Sequence, residues 1–350
     1  MKPCRLFVGT ALVSLCLPFD GARAQVITEF TDGIAAGAQP LDIALGSDGN
    51  LWFTEFNGGH QIGRITPLGV VTEFALGITP GAHPYGIAAG PDGNLWFTEQ
   101  STNSDINQIG QITPSGVITE FAFGISAFSN PFFIAAGPDG NLWFAESTVN
   151  RVAQITPGGD VTEFSAGICT PATCPPFGAN PVGIVLGPDG NLWFTEASSD
   201  RIGRITPAGV VTEFSANIST GASPFGITAG PDGNLWFTEN VGNRIGRITP
   251  TGVVTEFDAG ISPNARLFGI AAGADGNLWF TEQLGNQIGR ITPAGVVTEF
   301  FVGITFNADP SGIAAGPDGN LWFAELNGRI GRITTGVSSD AIFVDGFDGP

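Results

Sequence analysis

Positive charge is scarce in this sequence, and that scarcity limits its partners. The 350-residue chain carries 13 Lys and Arg against 32 Asp and Glu, which gives a net charge of −19. Nucleic-acid binding requires cationic side chains against phosphates, and docking on an anionic membrane surface requires basic clusters. The composition therefore argues against both nucleic acid and a membrane surface as partners.

Long hydrophobic runs are also missing, apart from one near the start. Residues 6–17 form a short apolar run after Lys2 and Arg5, and Ala22-Arg23-Ala24 supplies small residues at a cleavage site before Gln25. The run is too short to span a bilayer, and the pattern is typical of a secretory signal peptide. We predict that residues 1–24 are removed and that the protein is secreted or periplasmic, with no membrane span.

Cysteine is rare, with four residues in the chain. Cleavage would remove Cys4 and Cys16 and leave Cys169 and Cys174 in an oxidising compartment. We expect these two to form a disulfide with each other, which would restrain a small loop by about 2 kcal/mol.

The chain contains a sevenfold repeat of about 43 residues. The word DGNLWF occurs seven times and holds every tryptophan, at positions 52, 96, 143, 193, 236, 279 and 322. A period in this range with short strands is the signature of a β-propeller blade. The sequence therefore predicts an all-β fold, a seven-bladed β-propeller with four-stranded blades.

One repeat shows the four expected strands. They are residues 86–90 (GIAAG), 95–99 (LWFTE), 109–113 (IGQIT) and 117–121 (VITEF). The small first strand suits the crowded centre of the ring. The apolar second strand suits a sheet that is covered on both faces, so we expect each Trp to pack against the next blade.

The TEF word also occurs seven times, but its first copy precedes every DGNLWF. We therefore expect residues 26–30 to form the outer strand of the last blade, whose other strands lie within residues 312–334. This pairing closes the ring and removes free sheet edges. The predicted domain covers residues 25–335, residues 336–350 form a tail, and we expect a monomer.

Length variation between repeats is confined to one face of the predicted propeller. The extra residues fall within 56–61, 100–108 and 165–180, which are loops after the second strand or connections between blades. The DGN and TPxG turns, on the opposite face, hardly vary. Binding residues favour variable loops on a rigid scaffold, so the variable face is the predicted site.

Two rings of residues should reach the centre of this face. One ends the second strands: Glu55, Glu99, Glu146, Glu196, Glu239, Glu282 and Glu325. The other starts the first strands: Leu41, Tyr85, Phe132, Val182, Phe225, Phe268 and Ser311. Clustered carboxylates splay apart, take up protons or bind a cation; alternatively, each Glu caps loop amides in its own blade. The predicted ligand-binding residues are Phe132, Phe225, Phe268, Glu239 and Glu282.

Residues that break the repeat are further candidates. His83 precedes Pro84 and Tyr85, Asp309 holds the corresponding place in the last blade, and Arg266 does so in the sixth. His60 lies in the first long loop. A Ser-His-Asp triad would have to use one of these two histidines, and no nucleophile-elbow motif supports one.

The repeat units, as in residues 187–214 and 230–257, resemble the virginiamycin B lyase (streptogramin B lyase) family, and the resemblance covers all seven blades. It implies a Mg²⁺-dependent elimination that opens a cyclic depsipeptide. It also implies histidines at the first-strand starts of neighbouring blades, one within Glu-Pro-His-Gly and followed fourteen residues later by Glu.

This chain matches that pattern in part. The later Glu is matched by Glu99, Glu239, Glu282 and Glu325, and the acid before proline by Asp309. The histidine positions hold the first-strand residues listed above, none of which is a histidine. If a base acts here, the candidates are Glu99, Tyr85 and His83, and the metal candidates are Glu325 and Asp309.

Three functions are compatible with these patterns. The sequence favours a secreted scaffold that binds a small molecule, peptide or sugar at an acidic, aromatic-lined mouth. The alternatives are a Mg²⁺-dependent lyase of the resembled family, acting on a cyclic depsipeptide or related ester, and a structural surface protein attached through its tail.

Overall fold

The fold consists of seven four-stranded antiparallel sheets. A computed structural model describes residues 25–101, 107–168 and 178–336. In this part of the chain, no helix is long and apolar enough to cross a membrane. The predicted signal peptide, Cys169, Cys174 and residues 337–350 of the tail lie outside the described residues.

The 28 strands are assigned to blades in chain order, except for the first. Blade 1 contains β2 (Pro40–Leu45), β3 (Leu51–Glu55), β4 (Gln61–Ile65) and β5 (Val71–Phe74). Blade 2 contains β6 (His83–Ala89), β7 (Leu95–Gln100), β8 (Gln108–Ile112) and β9 (Ile118–Phe121). Blade 3 contains β10 (Pro131–Ala136), β11 (Leu142–Glu146), β12 (Arg151–Ile155) and β13 (Val161–Phe164). Blade 4 contains β14 (Pro181–Leu186), β15 (Leu192–Glu196), β16 (Arg201–Ile205) and β17 (Val211–Phe214).

The remaining blades continue the same order. Blade 5 contains β18 (Pro224–Ala229), β19 (Leu235–Glu239), β20 (Arg244–Ile248) and β21 (Val254–Phe257). Blade 6 contains β22 (Leu267–Ala272), β23 (Leu278–Glu282), β24 (Gln287–Ile291) and β25 (Val297–Phe300). Blade 7 contains β26 (Pro310–Ala315), β27 (Leu321–Glu325), β28 (Arg329–Ile333) and β1 (Ile27–Phe30). The predicted seven-bladed propeller is confirmed.

The first strand of each blade begins earlier than predicted. In blade 2, Pro84 already pairs with Glu99, and the next regular pair is Ile87 with Phe97. A β-bulge lies between these pairs and re-aims the two residues inside it. The prediction began the strand after the proline; proline is in fact tolerated at the start of a strand. The bulge matters because it aims residues at the centre of the ring.

The N-terminal strand closes the ring as predicted. Ile27 pairs with Ile333 and Phe30 with Ile330, in antiparallel register. The Phe30 ring stacks on Trp322 of the same blade at 5.3 Å between centroids. The first and last parts of the described chain therefore form one blade without a covalent link between them.

The tryptophans pack between blades, as expected from the apolar second strands. Trp52 of blade 1 is fully buried in a cluster with Ile87 and Phe97 of blade 2. Its indole N–H donates to Asp48 at 3.1 Å, and the Arg64 guanidinium lies over its ring. The same indole-to-aspartate bond recurs in the other six blades. The Asp of each DGN turn therefore holds the turn against the tryptophan.

Threonines join the innermost strands of neighbouring blades. The Thr54 hydroxyl receives the N–H of Asp42 and donates to the carbonyl of Tyr85 in blade 2. Blade 7 has Ala324 at this position, and the Ser311 hydroxyl donates to the carbonyl of Leu41 at 2.8 Å instead. These bonds fix the spacing of the strands around the centre, where the candidate site lies.

Candidate ligand-binding face

The variable face carries the loops between the second and third strands and the connections between blades. Strands β3 and β7, and their counterparts, end on this face, and the first strands of all blades start there. The residues that start the first strands are therefore collected around the ring axis. The opposite, uniform face carries the DGN and TPxG turns.

An aromatic cluster fills the centre of the variable face. It consists of Tyr85, Phe132, Phe133, Phe225 and Phe268. Tyr85 lies 4.6 Å from Phe132 and 5.5 Å from Phe133, between ring centroids. Phe133 in turn contacts Phe225 at 6.0 Å and Phe268 at 6.2 Å. Since blade 3 lies across the ring from blade 6, these contacts span the axis. The aromatic side chains that were predicted to form a ring therefore pack against one another at the centre of the face.

The cluster is buried to different depths. Tyr85 and Phe268 are 8% and 7% exposed, whereas Phe132 and Phe225 are half-buried and offer ring surface to solvent. Burial raises the pKa of the Tyr85 phenol far above its ordinary value, and nearby Asp42 adds to this rise. The phenol therefore stays protonated at neutral pH, which argues against Tyr85 as a base.

The seven glutamates that end the second strands do not line the mouth. All of them are fully buried, including Glu99, Glu239, Glu282 and Glu325. Each faces the glutamate of the fourth strand in its own blade, as Glu99 faces Glu120 and Glu282 faces Glu299. The prediction of an exposed carboxylate ring is therefore wrong in position, because the strand directs these side chains outward within the blade and away from the axis.

Burial and the neighbouring carboxyl group hold protons on these glutamates. Desolvation first, and repulsion from Glu299 second, raise the pKa of Glu282 to about 9. The same causes raise the pKa of Glu239 and of Glu325 to about 8, and that of Glu99 well above its ordinary value. A neutral carboxyl beside a charged one removes the repulsion of two buried charges.

The first residue of the third strand decides how much positive charge reaches each pair. Blades 3, 4, 5 and 7 have arginine there, at positions 151, 201, 244 and 329. Arg244 lies 3.7 Å from Glu239, whereas in blade 6 the amide of Gln287 lies 3.3 Å from Glu282. The blades therefore differ in electrostatics at an otherwise repeated position.

The fourth-strand glutamates cap the connections between blades. Glu120 of blade 2 accepts the backbone N–H and the hydroxyl of Thr79, both at 2.6 Å. Glu163, Glu256, Glu299 and Glu29 make the same pair of bonds with Ser126, Ser219, Ser262 and Thr305. The alternative prediction, that the second-strand glutamates cap loop amides, is therefore wrong, because the glutamates of the outer strand have this role among the described residues.

The two histidines of the chain meet at the rim of the variable face. The rings of His60 and His83 lie 4.5 Å apart between centroids in an edge-on arrangement. His83 Nδ1 donates to the carbonyl of Phe56 at 2.8 Å. Desolvation, followed by the nearby His83, lowers the pKa of His60. The sequence presented them as separate candidates, because His60 reaches His83 across a blade boundary.

The predicted metal ligands do not converge. Among the described residues, no group of three or more His, Cys, Asp or Glu side chains is placed to hold a metal ion. Glu325 faces Glu29 and Arg329, while Asp309 is half-buried at the rim. In the part of the chain that the structure describes, the predicted ligands Glu325 and Asp309 are therefore not brought together as a Mg²⁺ site.

A groove lies on the variable face, between blades 5 and 6. It has a volume of about 350 Å³ and is lined by Asn240, Val241, Asn243, Asn264, Arg266 and Leu284. Arg266 is exposed and adopts a φ of 55°. Its cationic side chain lines the groove together with the three asparagine side chains. Pockets that bind small molecules typically have volumes of about 300–1,000 Å³, so this groove is at the lower end of that range. The sequence singled out Arg266 but not the amides around it.

Asp42 and Phe133 were missed by the sequence analysis. They occupy the position after the first-strand starts, where the other five blades have glycine, and both line a central cavity. The signal was available, because both residues break a glycine column. It went unused because the bulge that aims this position at the axis is not visible in the sequence.

Comparison with known proteins agrees with the fold and places the chain in a family. The model of the virginiamycin B lyase family matches residues 22–216 and 165–341. The chain belongs to the virginiamycin B lyase family. A streptogramin B lyase structure is 37% identical with a TM-score of 0.78, and the match covers 88% of this chain and 97% of that one.

A second solved structure of the virginiamycin B lyase family agrees with this assignment, and a more distant one shares the fold. The virginiamycin B lyase of Staphylococcus aureus is 37% identical with a TM-score of 0.78, over 89% of this chain and 99% of that one. The WD40 propeller domain of Doa1, at 10% identity and a TM-score of 0.64, over 89% of this chain and 98% of that one, shares the fold alone. No curated protein sequence matches the chain.

Two first-strand starts bear on the virginiamycin B lyase pattern. The resemblance places histidines at such positions in neighbouring blades, and none of the seven first-strand starts of this chain is a histidine; Phe268 in blade 6 and Ser311 in blade 7 are two of them. Phe268 packs into the aromatic cluster at 4.6 Å from Phe225. The Ser311 hydroxyl is committed to the carbonyl of Leu41. Neither side chain is placed to take a proton from a substrate.

Proposed function

We propose that this protein is a secreted propeller that binds a ligand with hydrophobic and aromatic groups at the aromatic cluster. It does not catalyse ring opening of that ligand. The observation that carries the proposal is the aromatic cluster itself, in which Phe132 and Phe225 are half-buried and keep part of their surface exposed. The groove at Arg266 lies on the same face. Aromatic side chains contribute large contact area at low conformational cost.

The chemistry of the site favours binding over elimination. A base for proton abstraction must be poised near the operating pH and within reach of substrate. Tyr85 is held protonated by burial, and Glu99 is fully buried beneath the face. A histidine-to-alanine variant of the Staphylococcus aureus relative, solved with quinupristin, is described as catalytically inactive. The loss of one histidine therefore abolishes catalysis in that protein.

Quinupristin is the probe we would use for binding and turnover together. We expect calorimetric titration of the protein with quinupristin to show saturable binding. We expect mass spectrometry to show no ring-opened product, either with Mg²⁺ or with a chelator. Phe225→Ala should weaken binding at least tenfold, equivalent to about 1.4 kcal/mol, because it removes half-buried ring surface. Phe123→Ala is the matched control, since Phe123 is 94% exposed in the connection from blade 2 to blade 3.

Two outcomes would count against the proposal. A linear product that requires Mg²⁺ would show that the lyase reaction survives without the pattern's histidines. Absence of binding by a protein with a normal melting transition would remove the aromatic cluster as the site for this class of ligand.

A further inference from the structure

Asp42 occupies an exceptional position in the centre of the ring. Five blades have glycine at this place in the first strand: Gly86, Gly183, Gly226, Gly269 and Gly312. A Cβ on Gly183 would lie 2.3 Å from the carbonyl oxygen of Phe225 in the next blade, and one on Gly226 would lie 2.5 Å from that of Phe268. Glycine is therefore needed there for the strands to approach, and Asp42 and Phe133 are the two exceptions.

A cavity lies along the axis at this level. Its volume is about 110 Å³, and its walls include Asp42, Phe133, Gly183, Gly226, Gly269 and Gly312. Isoleucines from blades 3 to 7 complete the lining. A cavity of this size is large enough for a small molecule or ion, since a water needs only about 10–15 Å³ of such volume.

The charge of Asp42 is not balanced by the protein. One carboxylate oxygen accepts the N–H of Ile87 at 2.9 Å, and no ion pair to Asp42 exists among the described residues. Desolvation raises its pKa to about 7 despite backbone hydrogen bonds from Ile87 and Ile43. Asp42 is half-buried, so solvent reaches it. A partly desolvated carboxylate without a cationic side chain beside it is stabilised by a bound cation.

The lining selects the kind of cation. Ca²⁺ takes six to eight oxygen ligands, and Mg²⁺ requires near-octahedral oxygen coordination and loses water reluctantly. Here Asp42 carries the one side-chain carboxylate of the lining, and the other lining residues are Phe133, isoleucines and glycines, whose side chains offer no oxygen ligand. An ammonium group needs one charge-assisted hydrogen bond, and a short alkyl group on it would contact the isoleucines.

We propose that the central cavity binds one small ammonium-type cation, such as ammonium or methylammonium, with Asp42 as its anionic partner. The site is distinct from the outer surface of the aromatic cluster and does not require that a ligand bind there. The two proposals can therefore fail separately.

The test uses methylammonium chloride, detected by saturation-transfer NMR on its methyl protons, against the full protein at constant ionic strength. We expect saturable binding in the millimolar range. Asp42→Asn removes the charge and keeps the shape, and Asp42→Gly installs the residue of the five other blades. Both variants should bind at least tenfold more weakly, and Asp258→Asn, an exposed acid between blades 5 and 6, should bind like the unchanged protein.

Three results would overturn the proposal. They are no saturable binding by the folded wild-type protein, equal binding by the wild type and the Asp42 variants, and equal weakening by Asp258→Asn. Two Asp42 variants are used so that a folding defect in one, detected by its melting transition, does not prevent the comparison.

Discussion

The free energy of unfolding should fall as the pH rises from 5.5 to 8. The cause is the set of buried second-strand glutamates, whose pKa is raised by desolvation and then by a neighbouring carboxyl, to about 8 in Glu55 and Glu146 and to about 9 in Glu282. The unfolded value is near 4.3. Between these values the folded state holds more protons, so its stability is full below about pH 4.3 and is lost as the pH rises through the folded pKa.

The expected effect is large. One retained proton changes the free energy of unfolding by about 1.4 kcal/mol per pH unit. With several such groups, we expect urea denaturation at pH 8 to give a value at least about 3 kcal/mol below that at pH 5.5. A free energy of unfolding that rises or stays level over this range would contradict the raised pKa values of the second-strand glutamates.

At lower pH the DGN turns act in the opposite direction. Burial alone would raise the pKa of Asp48 and Asp232, but hydrogen bonds from Asn and Trp side chains outweigh it and lower the pKa. Groups with a depressed folded pKa contribute stability that is lost as the pH falls through that value. The stability optimum should therefore lie between about pH 4 and pH 6.

Two blades provide a matched comparison for this prediction. Glu282→Gln imitates the protonated group, so it should stabilise the protein at pH 8 and flatten the pH dependence. Glu239→Gln should gain less, because Arg244 lies beside Glu239, whereas Gln287 lies beside Glu282. Equal gains in both blades would show that Arg244 does not offset the buried charge.

Removal of residues 25–30 should cost at least about 4 kcal/mol in the free energy of unfolding. Phe30 stacks on Trp322, and Glu29 accepts the N–H and hydroxyl of Thr305. Losing a fully buried Phe side chain typically costs about 3–5 kcal/mol. Phe30 is half-buried and accounts for part of that cost, and the deletion also removes the pairing of β1 with β28 and exposes the edge of β28. Urea denaturation of the truncated protein measures the loss.

The control separates ring closure from ordinary packing. Phe300→Ala removes the equivalent stack on Trp279, at 5.4 Å between centroids, in a blade that is continuous in sequence. It should destabilise the protein less than the deletion, and an added peptide of residues 25–30 should restore part of the stability of the truncated chain only. A truncated protein as stable as the full chain would mean that β1 does not hold the ring closed.

The sequence was more informative about the scaffold than about the site. The blade number, the four strands of each blade and the closing role of β1 follow from a repeat that occurs seven times. The position of the glutamates did not follow, because a strand end fixes where Glu99 lies along the blade but not whether its side chain faces the axis or Glu120.

The sequence by itself determined the repeat, the pairing order of the strands and the excess of acidic side chains, because each depends on local patterns that recur along the chain. Only the tertiary structure decided what meets across blade boundaries. It brought His60 to His83, packed Phe133 against Phe268, and left Asp42 unpaired in the central cavity. These contacts depend on the radius of the ring and on the direction in which the β-bulges turn the side chains. Both are properties of the closed ring of seven blades.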